Sequence, residues 1–175
     1  MFPRYCLFLC LIGAPLVYPA CGTSSSAPKE VTAAPTNEAE SLQAVLTQYE
    51  TLRAAFAEDR LADVPALAGA LESGIQTAQT HAGQDIAASL KTMLQDLQPL
   101  KAEGTPDTLR RHFGDVSLWV VTILTARTSL QRGRHIFECP MAQGYEKWVQ
   151  VTDSIENPYM GGAMLRCGGP SSWRP

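Results

Sequence analysis

Both cysteines of the C-terminal third, Cys139 and Cys167, and three of the chain's five methionines, Met141, Met160 and Met164, fall within one short stretch. Thiolate and thioether sulfurs are soft donors that select Cu(I), Ag(I) and similar ions, whereas Mg and Ca take hard oxygen ligands. Cys139 and Met141 are two apart, so on a strand their side chains share a face. Met160 and Met164 are four apart and Met164 and Cys167 three, so on a helical turn these sulfurs also line up. A site of Cys139, Cys167 and one or two of Met141, Met160 and Met164 suits low-coordinate Cu(I) or Ag(I).

The same residues admit plainer roles. A Cys139–Cys167 disulfide closes a loop of about 28 residues and contributes about 3 kcal/mol on the entropic account. Methionine fills irregular gaps in cores, so Met141 and Met164 can pack against Trp119 or Trp148. His135 lies near Cys139 as a borderline ligand, yet its place after Arg132-Gly133-Arg134 suits a solvated or capping residue. His81 and His112 occupy ordinary helix positions, and Asp153 and Glu156 suit loop solvation better than acid/base work. The sequence carries no phosphate loop, nucleophile elbow or His-Glu-x-x-His pattern. The expectation is a binding protein and not an enzyme.

The N-terminus bears on the redox setting. Met1-Phe-Pro-Arg4 is a short basic start, and the charge-free apolar run Tyr5–Val17 follows it. That layout is a secretory signal peptide, residues 1–20, and the run is too short for a permanent span of about 20 residues. Tyr18-Pro-Ala-Cys21-Gly22 resembles a bacterial lipobox, with Tyr18 where an aliphatic residue is usual. The resemblance implies that the Cys21 thiol is lipidated and becomes the mature N-terminus, anchoring the chain to a membrane. Plain cleavage after Ala20 is the alternative. Cys6 and Cys10 leave with the signal, so Cys139 and Cys167 are the only cysteines of the body, in an oxidising compartment that favours pairing. The formal charge of −3 becomes more negative once Arg4 is removed, which leaves no basic surface for nucleic acid.

Residues 21–37 are rich in Ser, Thr, Pro and Ala and form a tether. Residues 38–133 read as four helices. Asn37 caps the first, whose apolar face is Leu42, Val45, Leu46, Tyr49, Leu52 and Phe56. The second starts near Asp63 with Pro65 in its first turn and carries Val64, Leu67, Leu71, Ile75 and Ala78 inward. The third runs from about Gln84 to Leu100, with Ile86, Leu90, Met93, Leu94 and Leu97 inward, and Gly104 stops it. The fourth opens with Thr105 as cap and Pro106 at the first helical position and runs to about Arg132, before Gly133. Short connections reverse direction, so the predicted fold is mainly α, an antiparallel up-and-down four-helix bundle. Val116 to Leu124 is apolar on more than one face, so the C-terminal segment 134–170 must cover it, Trp119 included. Within that segment Ile136–Cys139 and Lys147–Val151 suit short strands around Gly144. Asn157-Pro158-Tyr159 suits a fixed turn, with a role in contacting a partner as the alternative.

Cys139-Pro140-Met141-Ala142, Asn157-Pro158-Tyr159, Met164-Leu165 and Cys167-Gly168, with Arg110, Phe113 and Ser117 on the fourth helix, also carry a resemblance over roughly Leu42 to Gly168. They resemble a bacterial domain-of-unknown-function family found alone or fused to membrane-fusion subunits of Cus-type copper and silver efflux systems. Met160 stands where many relatives carry Phe, and the stretch between Met141 and Trp148 is shorter. The resemblance implies metal-efflux surroundings in the cell envelope, with efflux-system proteins as partners, and assigns no activity.

Overall fold

The computed structural model describes residues 37–175. The predicted signal peptide, the Cys21 lipidation site and the tether up to Thr36 lie outside the described residues. The helices are α1 (Glu38–Ala57), α2 (Val64–Gln79), α3 (Gln84–Leu97) and α4 (Pro106–Ala126). Asn37 Oδ1 accepts from the Glu40 amide at 3.0 Å, and Thr105 Oγ1 accepts from the Thr108 amide at 3.3 Å. Both caps satisfy amides that a helix start leaves without intrahelical partners. Helix α3 stops at Leu97 and tightens into the 3-10 turn Gln98–Lys101, where Pro99 has no amide to continue the ladder. Helix α4 ends at Ala126, earlier than its sequence pattern suggests. Arg127 leaves helical geometry at φ −125°, ψ 69°, and Thr128–Gln131 forms a 3-10 turn. The cause is tertiary: Arg127 turns aside to reach two other helices, and Gln131 Nε2 donates to the freed Leu124 carbonyl at 2.9 Å.

Those two contacts fix the helix directions. Arg127 donates to Glu38 in the first turn of α1 at 2.6 Å and to Asp85 in the first turn of α3 at 2.8 Å. The starts of α1 and α3 therefore meet the end of α4. At the opposite end, Asp59, just past α1, pairs with Arg110 near the start of α4. The helices run up and down and pack pairwise around one core. The predicted inward faces are buried on each helix, except that Leu67, Leu94, Leu118 and Trp119 are only partly covered and Ala68 is sealed as well. No helix among the described residues is long and apolar enough to cross a membrane.

The C-terminal segment adds a small antiparallel sheet. Strand β1 (His135–Glu138) pairs with β2 (Lys147–Gln150), with Phe137 opposite Trp148. On its other side β1 pairs with β3 (Gly169–Pro170), with Glu138 opposite Gly169, so the order is β2-β1-β3. Nothing in the sequence announces β3, since Gly-Pro has neither alternation nor β propensity. Strand β2 lies against α4. Tyr159 meets Phe113 with ring centroids 5.8 Å apart, and the Tyr145 carbonyl lies directly over Gly114. The segment thus covers α4 near Phe113 and Gly114. Trp119 is half-buried, and its indole donates to Asp96 of α3 at 2.6 Å. On the outer edge of β2, the Tyr49 hydroxyl accepts from the Val149 amide at 3.3 Å and the Tyr159 hydroxyl donates to the Lys147 carbonyl at 2.6 Å.

Two glycines test this packing with opposite signs. A Cβ at Gly114 would stand 2.9 Å from the Tyr145 carbonyl oxygen, whereas one at Gly69, inside α2, meets nothing within 4 Å. Urea unfolding should find Gly114→Ala destabilised by about 1 to 3 kcal/mol, as for overpacking. Gly69→Ala should be stabilised by about 0.5 to 1 kcal/mol through helix propensity.

Candidate functional site

The sulfur-bearing segment has little regular structure, so buried polar side chains hold it in place. Arg53 of α1 is 2% exposed and donates to the Glu156 carbonyl at 2.9 Å, to Glu156 Oε2 at 3.1 Å and to Glu50 Oε1 at 2.8 Å. Glu156 is therefore a structural partner and not merely a solvated loop residue. Burial raises the Glu50 carboxyl above the usual carboxylate range, against the pull of the Arg53 guanidinium. Gln150, fully buried, accepts from the Trp148 indole at 2.8 Å and donates to the Ser154 carbonyl at 2.8 Å.

Asn157 is the pivot nearest the sulfurs. Its Oδ1 accepts from the Tyr159 amide at 2.8 Å and the Met160 amide at 3.2 Å, and its Nδ2 donates to the Cys167 carbonyl at 2.8 Å. One buried amide thus fixes the backbone at Met160 and at Cys167. The turn predicted at Asn157-Pro158-Tyr159 is present, and its asparagine faces inward. The following turn, Gly161–Ala163, is latched to the helices: the Gly162 amide donates to Asp59 at 2.8 Å and Arg110 donates to the Pro158 carbonyl at 3.2 Å.

The sheet register brings the cysteines together. Glu138 lies opposite Gly169, so Cys139 follows beside Gly168 and next to Cys167. The approach is close: a Cβ at Gly168, whose φ is +127°, would stand 2.6 Å from the Glu138 carbonyl oxygen and 3.0 Å from the Trp148 ring. Glycine is the residue such a conformation and such a gap admit. Cys139 is fully buried, its amide bonded to the Glu146 carbonyl at 2.9 Å, and Cys167 is half-buried. Both are free thiols. Burial pushes the Cys167 thiol above its ordinary value, and hydrogen bonding to Cys139 and that group's charge add to the shift. The two sulfurs, 28 residues apart in sequence, are direct neighbours.

The methionines divide. Met141 is 57% exposed and Met164 39%, so neither is packed in the core against Trp119 or Trp148 as a gap-filler. Met160 is half-buried against the core. Met141 and Met160 share a pocket with Tyr159 and Arg110, and Met164 does not line it. His135 stands at the far end of β1 from Cys139, about 13 Å away at strand spacing, and stacks on Phe137. It is not a ligand of the thiol pair. Among the described residues no cluster of three or more His, Cys, Asp or Glu side chains is arranged to hold a metal.

No family model, curated protein or solved structure matches this chain. The chemistry of the site therefore stands on its own donors. Two adjacent thiols match the low coordination number and the softness of Cu(I) or Ag(I). They offer hard cations no oxygen cage. Sequence pattern points to the sulfurs, whereas Arg53 is placed by Glu156, 103 residues away, and Gln150 by an irregular loop of its own neighbours, neither of which leaves a periodic signal.

The unequal burial of the thiols should appear in their reactivity. A raised thiol pKa means less thiolate at a given pH, so Cys167 should be alkylated by iodoacetamide several-fold more slowly than free cysteine near pH 8. Its rate should keep rising beyond the pH at which free cysteine levels off. Cys139 should stay unmodified until the chain unfolds. A mass-spectrometric time course on the reduced protein between about pH 7 and 10 measures both.

Proposed function

We propose that this chain is an exported, membrane-tethered protein that binds one soft metal ion, Cu(I) or Ag(I), through Cys139 and Cys167. Its setting is metal efflux in the cell envelope, with efflux-system proteins as partners. The observation that carries the reading is the pair of free thiols held side by side, one sealed and one half-open. When a metal is bound it takes the place of the thiol protons, so binding releases protons and strengthens as pH rises. Met141, Met160 and Met164 offer further thioether donors that tune selectivity. The Cys-Pro-Met-Ala, Asn-Pro-Tyr and Cys-Gly resemblance supports the efflux setting, and the signal sequence with Cys21 supports the tether. Nothing in the arrangement offers a nucleophile with an adjacent base, and the reading is a binding protein.

The same adjacency favours a second reading, an interaction module of an efflux assembly in which Cys139 and Cys167 form a structural disulfide. That bond forms when both thiols lose their protons and two electrons pass to an oxidant of the disulfide class, which leaves as a dithiol.

Competition against a Cu(I) chelator under reducing conditions separates the two. The test uses the full chain with Cys6→Ser, Cys10→Ser and Cys21→Ser, so that only the pair remains. It should bind about one Cu(I), and adding Cys139→Ser should weaken binding at least about 100-fold, the loss of one of two thiolates. Adding Met141→Leu should weaken it far less. Equal, weak binding by all three, with folding unchanged, overturns the metal reading in favour of the staple. For the tether, wild-type protein should partition into detergent and Cys21→Ser should not. A Cys21→Ser chain that stays with membranes, or a purified mature N-terminus that is an unmodified cysteine, overturns lipidation.

A further inference from the structure

Beside the thiol pair, and distinct from it, a pocket of about 130 Å³ opens between the start of α4 and the turns that follow β1 and β2. Two of its walls are thioethers, Met141 and Met160, and the Tyr159 ring is a third. Met141 is left more than half exposed, although burial would be favourable for so apolar a side chain. Both methionines stand on fixed backbone. The turn that holds Met141 is closed by the Ala142 amide donating to the Cys139 carbonyl at 2.9 Å, and the Met160 amide is tied to Asn157 at 3.2 Å. Neither cysteine lines this pocket, and its Tyr159 wall meets Trp148 with ring centroids 5.9 Å apart.

We infer that Met141 and Met160 form a separate capture site for monovalent soft ions, Cu(I) or Ag(I), beside the Cys139–Cys167 pair. This rests on the soft-metal reading proposed above and adds to it where the ion first lands. Charge supports the choice of ion. Arg110 and Arg111 line the pocket, Asp59 pairs with Arg110 and Asp107 stands in the lining, so the pocket has no excess negative charge to hold a hard divalent cation. A monovalent ion held by polarisable sulfur needs no such charge and bonds more strongly to the donors present. Thioethers stay neutral and release such ions readily, whereas thiolates retain them. The ion passes from Met141 and Met160 to Cys139 and Cys167 with no change of oxidation state, and the thiol protons go to water.

The test follows methionine methyl groups by ¹³C NMR in the full chain. All five cysteines are replaced by Ser, including Cys139→Ser and Cys167→Ser, and silver nitrate is the probe. The Met141 and Met160 methyl signals should shift together and saturate with one affinity, while Met93 and Met164 hold still and zinc chloride moves none. Adding Met141→Leu and Met160→Leu should lower the Ag(I) affinity at least about tenfold, with the Met93 signal unchanged as a check on the core. Absence of any Met141 or Met160 shift at saturating Ag(I) overturns the inference. A Met164 shift with the same affinity overturns it too, since any exposed thioether would then do. If the methyl shifts persist but the thiol-bearing chain shows no chelator-resistant Cu(I), the thiol reading falls and the pocket stands. The reverse pattern removes the pocket alone.

Discussion

Helix α4 carries more apolar surface than three neighbouring helices can cover. Leu109, Phe113, Val116, Val120, Ile123 and Leu124 form one stripe, each at most 4% exposed, and beside it Gly114, Ser117 and Val121 are buried as well. Burying that second face is the constraint from which the C-terminal segment follows. Strand β2 lies on α4, Gly114 admits the Tyr145 backbone, and the Tyr159 ring packs tilted against Phe113. Bundle and segment therefore share one core, and the sulfurs sit on a covering layer whose position α4 dictates.

A layer of four-residue strands and turns cannot be held by ladder bonds alone. Its backbone polar groups must find partners in the interior, where an unpaired donor or acceptor is costly. Arg53, Gln150 and Asn157 supply those partners from buried positions. Burying Arg53 is tolerable because Glu50, Glu156 and a carbonyl share its guanidinium protons. Asn157 replaces two turns' worth of regular bonding by serving Tyr159, Met160 and Cys167 at once. Positions of the sulfurs thus depend on side chains that are not themselves donors to a metal.

Periodicity was a faithful guide wherever one face of a helix meets the core. Leu42 to Phe56 and Ile86 to Leu97 repeat at three and four because only that spacing aligns on a helix. It gives no stop at the end of α4 before Gly133, yet Arg127 is drawn off to Glu38 and Asp85, residues far away in sequence. It carries no sign of the tie at Trp119, whose indole needs an acceptor and finds Asp96 on α3. Strand β3 was invisible because Gly169 and Pro170 pair only through the register that β1 imposes. The nearness of Cys139 and Cys167 was inferred from chemistry, since both a staple and a ligand pair require it. The Met141 and Met160 pocket had no local signature, because its walls come from α4 and two separate turns.

The two tyrosine hydroxyls on the rim of β2 have a consequence for association. A short sheet that ends in open amides and carbonyls is a template for another chain's strand. Here the Val149 amide donates to Tyr49 and the Lys147 carbonyl accepts from Tyr159. Burial raises both phenols above the usual tyrosine range, so they stay protonated at any physiological pH. Each hydroxyl occupies a position that a neighbouring strand's backbone would need. The rim is closed from within the fold, by side chains that also bury aromatic surface, and β2 is kept from strand exchange by more than the charge of its own Lys147.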